Sequence, residues 1–149
     1  MRRMILVAVA GALVLALAAG VAIAQNIIQC DTDPCTGTNQ QDRIFEQEGD
    51  GVDDTIRGRG KGDVIDAANF DADNDNVFGG RGNDRIRVDD RDPLDFVSCG
   101  KGNKDIAVIN PGDEASGNCE FVRGDLNMTP QEFSTATVEE IIENSEPAE

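Results

Sequence analysis

Between residues 42 and 106 a branched apolar residue recurs two places after an aspartate. Asp42 precedes Ile44, Asp54 precedes Ile56, Asp63 precedes Ile65, Asp75 precedes Val77, Asp84 precedes Ile86 and Asp95 precedes Val97. A seventh aspartate, Asp105, closes the series. The steps between them are 12, 9, 12, 9, 11 and 10 residues, so Asp42, Asp63, Asp84 and Asp105 recur every 21. Triplets such as Arg85-Ile86-Arg87 suit three-residue strands that point out, in, out. The inward ladder reads Ile44, Ile56, Ile65, Val77, Ile86, Val97 and Ile106, all β-branched, which favours a stacked pleated surface. A fixed period of this length marks a solenoid, in which each unit covers the apolar face of the next. The expected fold is all-β: a right-handed parallel β-roll, or β-solenoid, of about three to four short coils.

Each coil then needs two corners. One is tight and glycine-rich: Gly58-Arg59-Gly60-Lys61-Gly62-Asp63, Gly79 to Asp84, and Gly100-Lys101-Gly102-Asn103. The other is wider and acidic: Glu46 to Asp54, Asp66 to Asp75, and Asp89 to Asp95. Glycine permits positive φ and close backbone approach, so successive corners can stack. Stacking also sets like carboxylates ~4.8 Å apart in neighbouring coils, where they repel. A hard cation removes that conflict, because calcium takes 6 to 8 oxygens from carboxylates and backbone carbonyls at ~2.3–2.6 Å. Around Asp105 two registers compete. Counting from Cys99 turns Ile106 inward and displaces Asp105 by a one-residue bulge. Counting by 21 buries Ala107 instead. The first is the reading adopted here.

The segment Gly79-Gly80-Arg81-Gly82-Asn83-Asp84-Arg85-Ile86-Arg87 fits the nonapeptide G-G-x-G-x-D-x-U-x, with U apolar. With its degenerate copies it resembles the RTX, or haemolysin-type, calcium-binding repeat family over about Gly37 to Val122. Asp95 to Gly102 together with Cys119-Glu120-Phe121-Val122 is similar to the closing turn of secreted actinobacterial members, and Gln29 to Thr38 to their opening. The resemblance implies calcium between same-side corners one coil apart, held by Asp63 and Asp84 foremost, then Asp42, Asp54, Asp75, Asp95 and Asp105. Carbonyls of Gly58, Gly60, Gly79, Gly80, Gly82, Gly100 and Gly102 complete the implied set. The chain departs from the family pattern at Gln40, Val52, Lys61 and Asp73, which stand where the repeat has its fourth-position glycine.

The four cysteines of an exported chain read as two disulfides, with three connectivities open. The expected pairs are Cys30–Cys35, pinning the first loop, and Cys99–Cys119, tying the last coil to its cap. A four-cysteine zinc site lacks paired C-x-x-C spacing.

Export is expected from residues 1–24: Arg2 and Arg3, an apolar run from Met4 to Val21, and Ala22-Ile23-Ala24 as a small-x-small cleavage site. An uncleaved anchor is the alternative, since ~20 apolar residues can span a bilayer. Residues 25–36 then form an opening disulfide loop, 37–122 the coil and its cap, and 123–149 an acidic, partly ordered tail. A short helix within 134–144, with Val138, Ile141 and Ile142 on one side, is the ordered part foreseen.

The whole chain carries 13 Lys+Arg against 29 Asp+Glu, a net charge of −16. Without residues 1–24 and their two arginines, 11 basic against 29 acidic residues leave −18. Such a charge disfavours nucleic acid and anionic membrane as partners, and a cell-surface or matrix partner is not specified by it. With few aromatics it also sits near the disordered class until something neutralises it.

Other constellations carry less. Asp71-Ala72-Asp73-Asn74-Asp75 opens like an EF-hand loop but has Asn76 and Gly82 where that loop needs Gly and Glu. Arg123-Gly124-Asp125 is a three-residue adhesion-like string and reads as a solvated turn. Arg57, Arg59, Arg81, Arg85 and Arg87 are expected to pair with the acidic corners, the alternative being a basic stripe that takes an anionic polysaccharide. With no His, Trp or Tyr, four serines without a neighbouring base and no visible aromatic platform for a sugar, the chain is expected not to be an enzyme. The sequence therefore reads as a secreted calcium-binding β-roll. Its rivals are a metal-independent structural solenoid and a carbohydrate-binding module on the arginine face.

Overall fold

The computed structural model describes residues 25–46, 51–68, 73–90 and 94–148. The strands expected from the alternating pattern form, and they stack in two parallel sheets. One holds β1 (Asn26–Gln29), β3 (Asp42–Phe45), β5 (Val64–Asp66), β7 (Arg85–Arg87), β9 (Ile106–Val108), β11 (Phe121–Leu126) and β12 (Ser145–Pro147), in that spatial order. The other holds β2 (Cys35–Thr36), β4 (Thr55–Gly60), β6 (Asn76–Arg81), β8 (Phe96–Lys101) and β10 (Glu114–Ala115). Only β12 runs antiparallel to its neighbour. Because the chain from β1 to β11 alternates between sheets and its neighbours within each sheet over that range are parallel, it winds as a solenoid of about three turns.

Register explains the period. In the seven-stranded sheet Ile44 faces Ile65, Ile65 faces Ile86 and Ile86 faces Ala107, always 21 residues on. In the five-stranded sheet Ile56 faces Val77, and Val77 faces Val97 after only 20. Ile44, Ile56, Ile65, Val77, Ile86, Val97 and Ala107 are all fully buried and form one core with the two disulfides. Each buried Ile or Val contributes about 1.5–3 kcal/mol, so this thin ladder is the main cohesive force.

Ile106 corrects the expectation. It pairs with Arg85 and Phe121 and points to the outer side of its sheet, while Ala107 takes the inward place. No bulge displaces Asp105. The extra residue sits in the corner between Lys101 and Asp105, where it costs no ladder bond.

Residues 123–148, expected to be an acidic tail with one short helix, carry further elements. β11 runs on to Leu126, then α1 (Pro130–Thr135) and α2 (Val138–Glu143) lie over the outer face of the seven-stranded sheet, and β12 closes its edge. Val64, Ile106 and Val108 meet Phe133, Ala136 and Ile141 there in a second apolar cluster. The foreseen single helix is two, because Thr137 caps a new one: its side chain accepts from Glu140 N–H while Glu140 reaches back, a capping box repeated at Thr129 and Glu132. Arg43 Nη2 donates to Ser134 O at 2.9 Å and Arg85 to Ala136 O, fastening the cap to the coil.

Cys30–Cys35 and Cys99–Cys119 are bonded as expected. Structural disulfides belong to oxidising compartments. No helix among the described residues is long and apolar enough to cross a membrane. The leader assigned to residues 1–24 lies outside the described residues.

Candidate metal centre

Every coil presents one aspartate at each corner, at the mouth of a strand. On the tight side Asp42, Asp63, Asp84 and Asp105 are fully buried. Their carboxylates form a ladder along the coil axis. Oδ1 of Asp63 accepts the backbone N–H of Asp42, Oδ1 of Asp84 that of Asp63, and Oδ1 of Asp105 that of Asp84, each at 2.8 Å. Glu120 ends it, accepting the N–H of Asp105 at 2.8 Å. The wide side has its own ladder. Asp75 accepts from Asp54 N–H at 2.9 Å, Asp95 from Asp75 N–H at 2.7 Å, and Asp113 from Asp95 N–H at 3.2 Å. The aspartate of each coil serves the coil before it, because its carboxylate satisfies a backbone donor there.

One oxygen of each carboxylate is thereby used. The other, Oδ2 of Asp63, Asp84 and Asp105 on the tight side and of Asp75 and Asp95 on the wide side, is buried and accepts no hydrogen bond among the described residues. Asp42 differs: Thr38 N–H donates to its Oδ2 at 2.6 Å and Asn26 Nδ2 to its Oδ1 at 2.8 Å, so protein groups close that end of the ladder.

Glycine creates the room for these oxygens. A Cβ on Gly58 would lie 2.5 Å from both Asp63 Oδ2 and the carbonyl oxygen of Gly79. A Cβ on Gly79 would collide with Asp84 Oδ2 and lie 2.6 Å from Cys99 O. At Gly102 the same site meets the Asp105 carboxylate and Gly82 O. So a carboxylate of one coil and a carbonyl of the next converge where a side chain would otherwise stand. Gly80, Gly82 and Gly100 turn the backbone at the same corners. Gly60 is the exception, since its nearest neighbour, Asn39, stays at 3.4 Å and leaves space for a side chain.

At the wide corner the backbone ladder continues past the strands: Glu46 N–H bonds Asp66 O, Ala67 N–H bonds Arg87 O and Val88 N–H bonds Val108 O. Glu46 thus occupies a column that later coils fill with Ala67, Val88 and Ile109, all buried. It is only 4 % exposed, and neither of its oxygens accepts from an N–H or O–H donor among the described residues. Its carboxyl faces those of Asp73 and Asp75, one oxygen of each lying within 4.8 Å of the others.

Electrostatics follow from this burial. Loss of water raises the Glu46 carboxyl to about 10, with the Asp75 charge adding to the effect. Burial likewise lifts Asp63, Asp75 and Asp84 to about 7 and Asp95 to about 8, against the lowering effect of the ladder hydrogen bonds. Asp105 is raised in the same way. Groups so placed at neutral pH must take up either protons or a cation. Buried carboxylates with open lone pairs beside backbone carbonyls are a hard-oxygen donor set, and that set fits calcium.

The spacing rule located Asp54, Asp63, Asp75, Asp84, Asp95 and Asp105 in the ladders. It missed Asp113 and Glu120, although each is an acid two places before a partly buried apolar residue, Ala115 and Val122. Glu46 has no such signal. The EF-hand-like stretch begins at Asp71 and Ala72, which lie outside the described residues.

Fold and site together define a parallel β-solenoid with an acidic ladder along each corner. Comparison of the chain with protein-family models, with curated proteins and with solved structures finds no match in any of the three. The functional reading rests on the residues of the coil themselves.

Proposed function

We propose that this chain is a secreted calcium-binding β-roll of the RTX type, and a binding protein rather than an enzyme. The observation that carries this is the row of buried, unshared carboxylate oxygens on Asp63, Asp84 and Asp105, each beside a carbonyl from the neighbouring coil. On the wide side Glu46, Asp73, Asp75 and Asp95 would hold ions of the same kind. Calcium bound there supplies the positive charge that lets stacked carboxylates stay ionised. Asp42 contributes less, because Thr38 and Asn26 already satisfy it. Two disulfides support export, and the leader-like residues 1–24 agree with it.

Binding to the folded state alone stabilises it by RT ln(1 + [L]/Kd). Far-ultraviolet circular dichroism at pH 7.5 tests the reading: coil in chelator, β on adding millimolar calcium. A β spectrum that is the same in chelator and in calcium supports the metal-independent solenoid instead.

A further inference from the structure

The outer face of the five-stranded sheet differs in charge from the rest of the molecule. Inward from each of its strands point the core residues Ile56, Val77 and Val97, and outward point Arg57, Phe78 and Ser98 in one register row. The adjoining row is Thr55, Asn76, Phe96 and, at the edge, Glu114. Toward the tight corner Gly60, Arg81 and Lys101 share a third row, with Arg59 beside it. Arg57, Arg59, Arg81 and Lys101 are exposed. In a chain of net charge −16 the expectation was that such arginines pair with the acidic corners. Arg87 does, with Asp89, but Arg57, Arg59 and Arg81 do not: the other ion pair among the described residues is Lys104–Glu139. The acids of the coil are turned into the corners, which leaves this face basic.

It is also aromatic, contrary to the sequence reading that saw no platform for a sugar. The Phe78 and Phe96 rings stand 6.1 Å apart between centroids, half-buried, and the Arg57 guanidinium lies 5.5 Å over Phe78. Arg59 adds a second signal. Its φ is +82°, in the left-handed region, at a register position that the next two coils fill with Gly80 and Gly100. A Cβ at either glycine would collide with the coil before it, but β2 ends at Thr36 and leaves Arg59 no strand on that side. The chain thus holds an arginine in a strained conformation where a glycine would fit, a cost that a binding role explains.

The geometry points to this face as a binding surface for a linear acidic polysaccharide. Strands repeat ~4.8 Å apart along the coil axis, so each row is an extended line of side chains that suits a polymer laid across the strands. Guanidinium groups take carboxylates bidentately, and apolar sugar faces stack on the two phenylalanines. Nucleic acid is disfavoured by the field of the remaining surface, which repels its dense phosphates. Its side chains are exposed on the outside of the sheet while the neighbouring corner carboxylates are buried, so the surface goes beyond their function.

The test uses the whole mature chain folded in calcium, with hyaluronan as the probe, dextran as a neutral control, and polyglutamate and single-stranded DNA as rival polyanions. Affinity electrophoresis should show retardation by hyaluronan and not by dextran. The triple variant Arg57→Ala, Arg81→Ala, Lys101→Ala should weaken it at least tenfold with circular dichroism and calcium titration unchanged. Phe78→Ala should weaken it also at raised salt, where charge alone is screened. Absence of retardation overturns the proposal. So does full retardation of the triple variant, which indicates bridging by calcium. Equal or tighter binding of polyglutamate or DNA overturns the choice of a sugar polymer.

Discussion

Asp84→Asn separates the charge of a ladder carboxylate from its hydrogen bond. The amide oxygen can still accept the Asp63 N–H, now at 2.8 Å to Oδ1, while the charge is lost. In the folded state without calcium, burial raises Asp84 from 3.8 to about 7. A raised folded-state value means that the folded chain binds the extra proton. Its stabilising effect is complete below about pH 4 and is lost as pH rises through 7. A shift of about three units is on the order of 4 kcal/mol, and about half that once water around a corner one side chain thick is allowed for. Asp63 and Asp75 behave alike, so three such groups cost about 6 kcal/mol at pH 8, comparable with the entire stability of a small domain. Because the parent should be coil in chelator near neutral pH, refolding by trimethylamine N-oxide in chelator, followed by circular dichroism, reads the difference: Asp84→Asn should fold more readily than the parent by about 2 kcal/mol at pH 8 and be level with it at pH 4. In calcium the order should reverse, because the variant lacks the charged ligand. An equal difference at both pH values in chelator, or a variant that is the less stable at pH 8, would refute the reasoning.

Gly79→Ala should abolish calcium-dependent folding at the tight corner, since its Cβ takes the place of Asp84 Oδ2, and a calcium-induced β signal equal to the parent's would show that the carboxylate does not need that space. Glu46→Ala, which copies Ala67 one coil on, should lower the trimethylamine N-oxide needed to fold the chain in chelator at pH 7.5 by removing a buried acid and should lower the number of calcium ions bound, read by equilibrium dialysis; an unchanged count removes Glu46 from the site. Cys119→Ser opens a cross-link between residues 20 apart and should cost about 3 kcal/mol, seen as a lower melting temperature in calcium and a higher calcium demand for folding.

The period was legible because each coil needs an acid to meet the N–H of the coil before it, and that need writes Asp42, Asp63, Asp84 and Asp105 into the chain at equal steps. The disulfide pairs agree with the expectation that each end of the coil is tied, Cys30–Cys35 at the first loop and Cys99–Cys119 at the cap. Ile106 was misplaced because a residue added in a corner and a bulge in a strand produce the same spacing, and only pairing with Arg85 distinguishes them. The cap was underestimated because its two six-residue helices are too short to show a period; they stand by packing Phe133 and Ile141 on Ile106. Glu46 was illegible because its neighbours Asp73 and Asp75 are brought to it only by winding of the coil.

Calorimetric titration of calcium into the metal-free mature chain at pH 7.5 bears most directly on the calcium reading. More than one ion should bind per chain, with the coil-to-β transition following the heat, and the double variant Asp63→Asn, Asp84→Asn should lose ions that Glu46→Ala retains. A chain that takes up no calcium while already folded in chelator would contradict it.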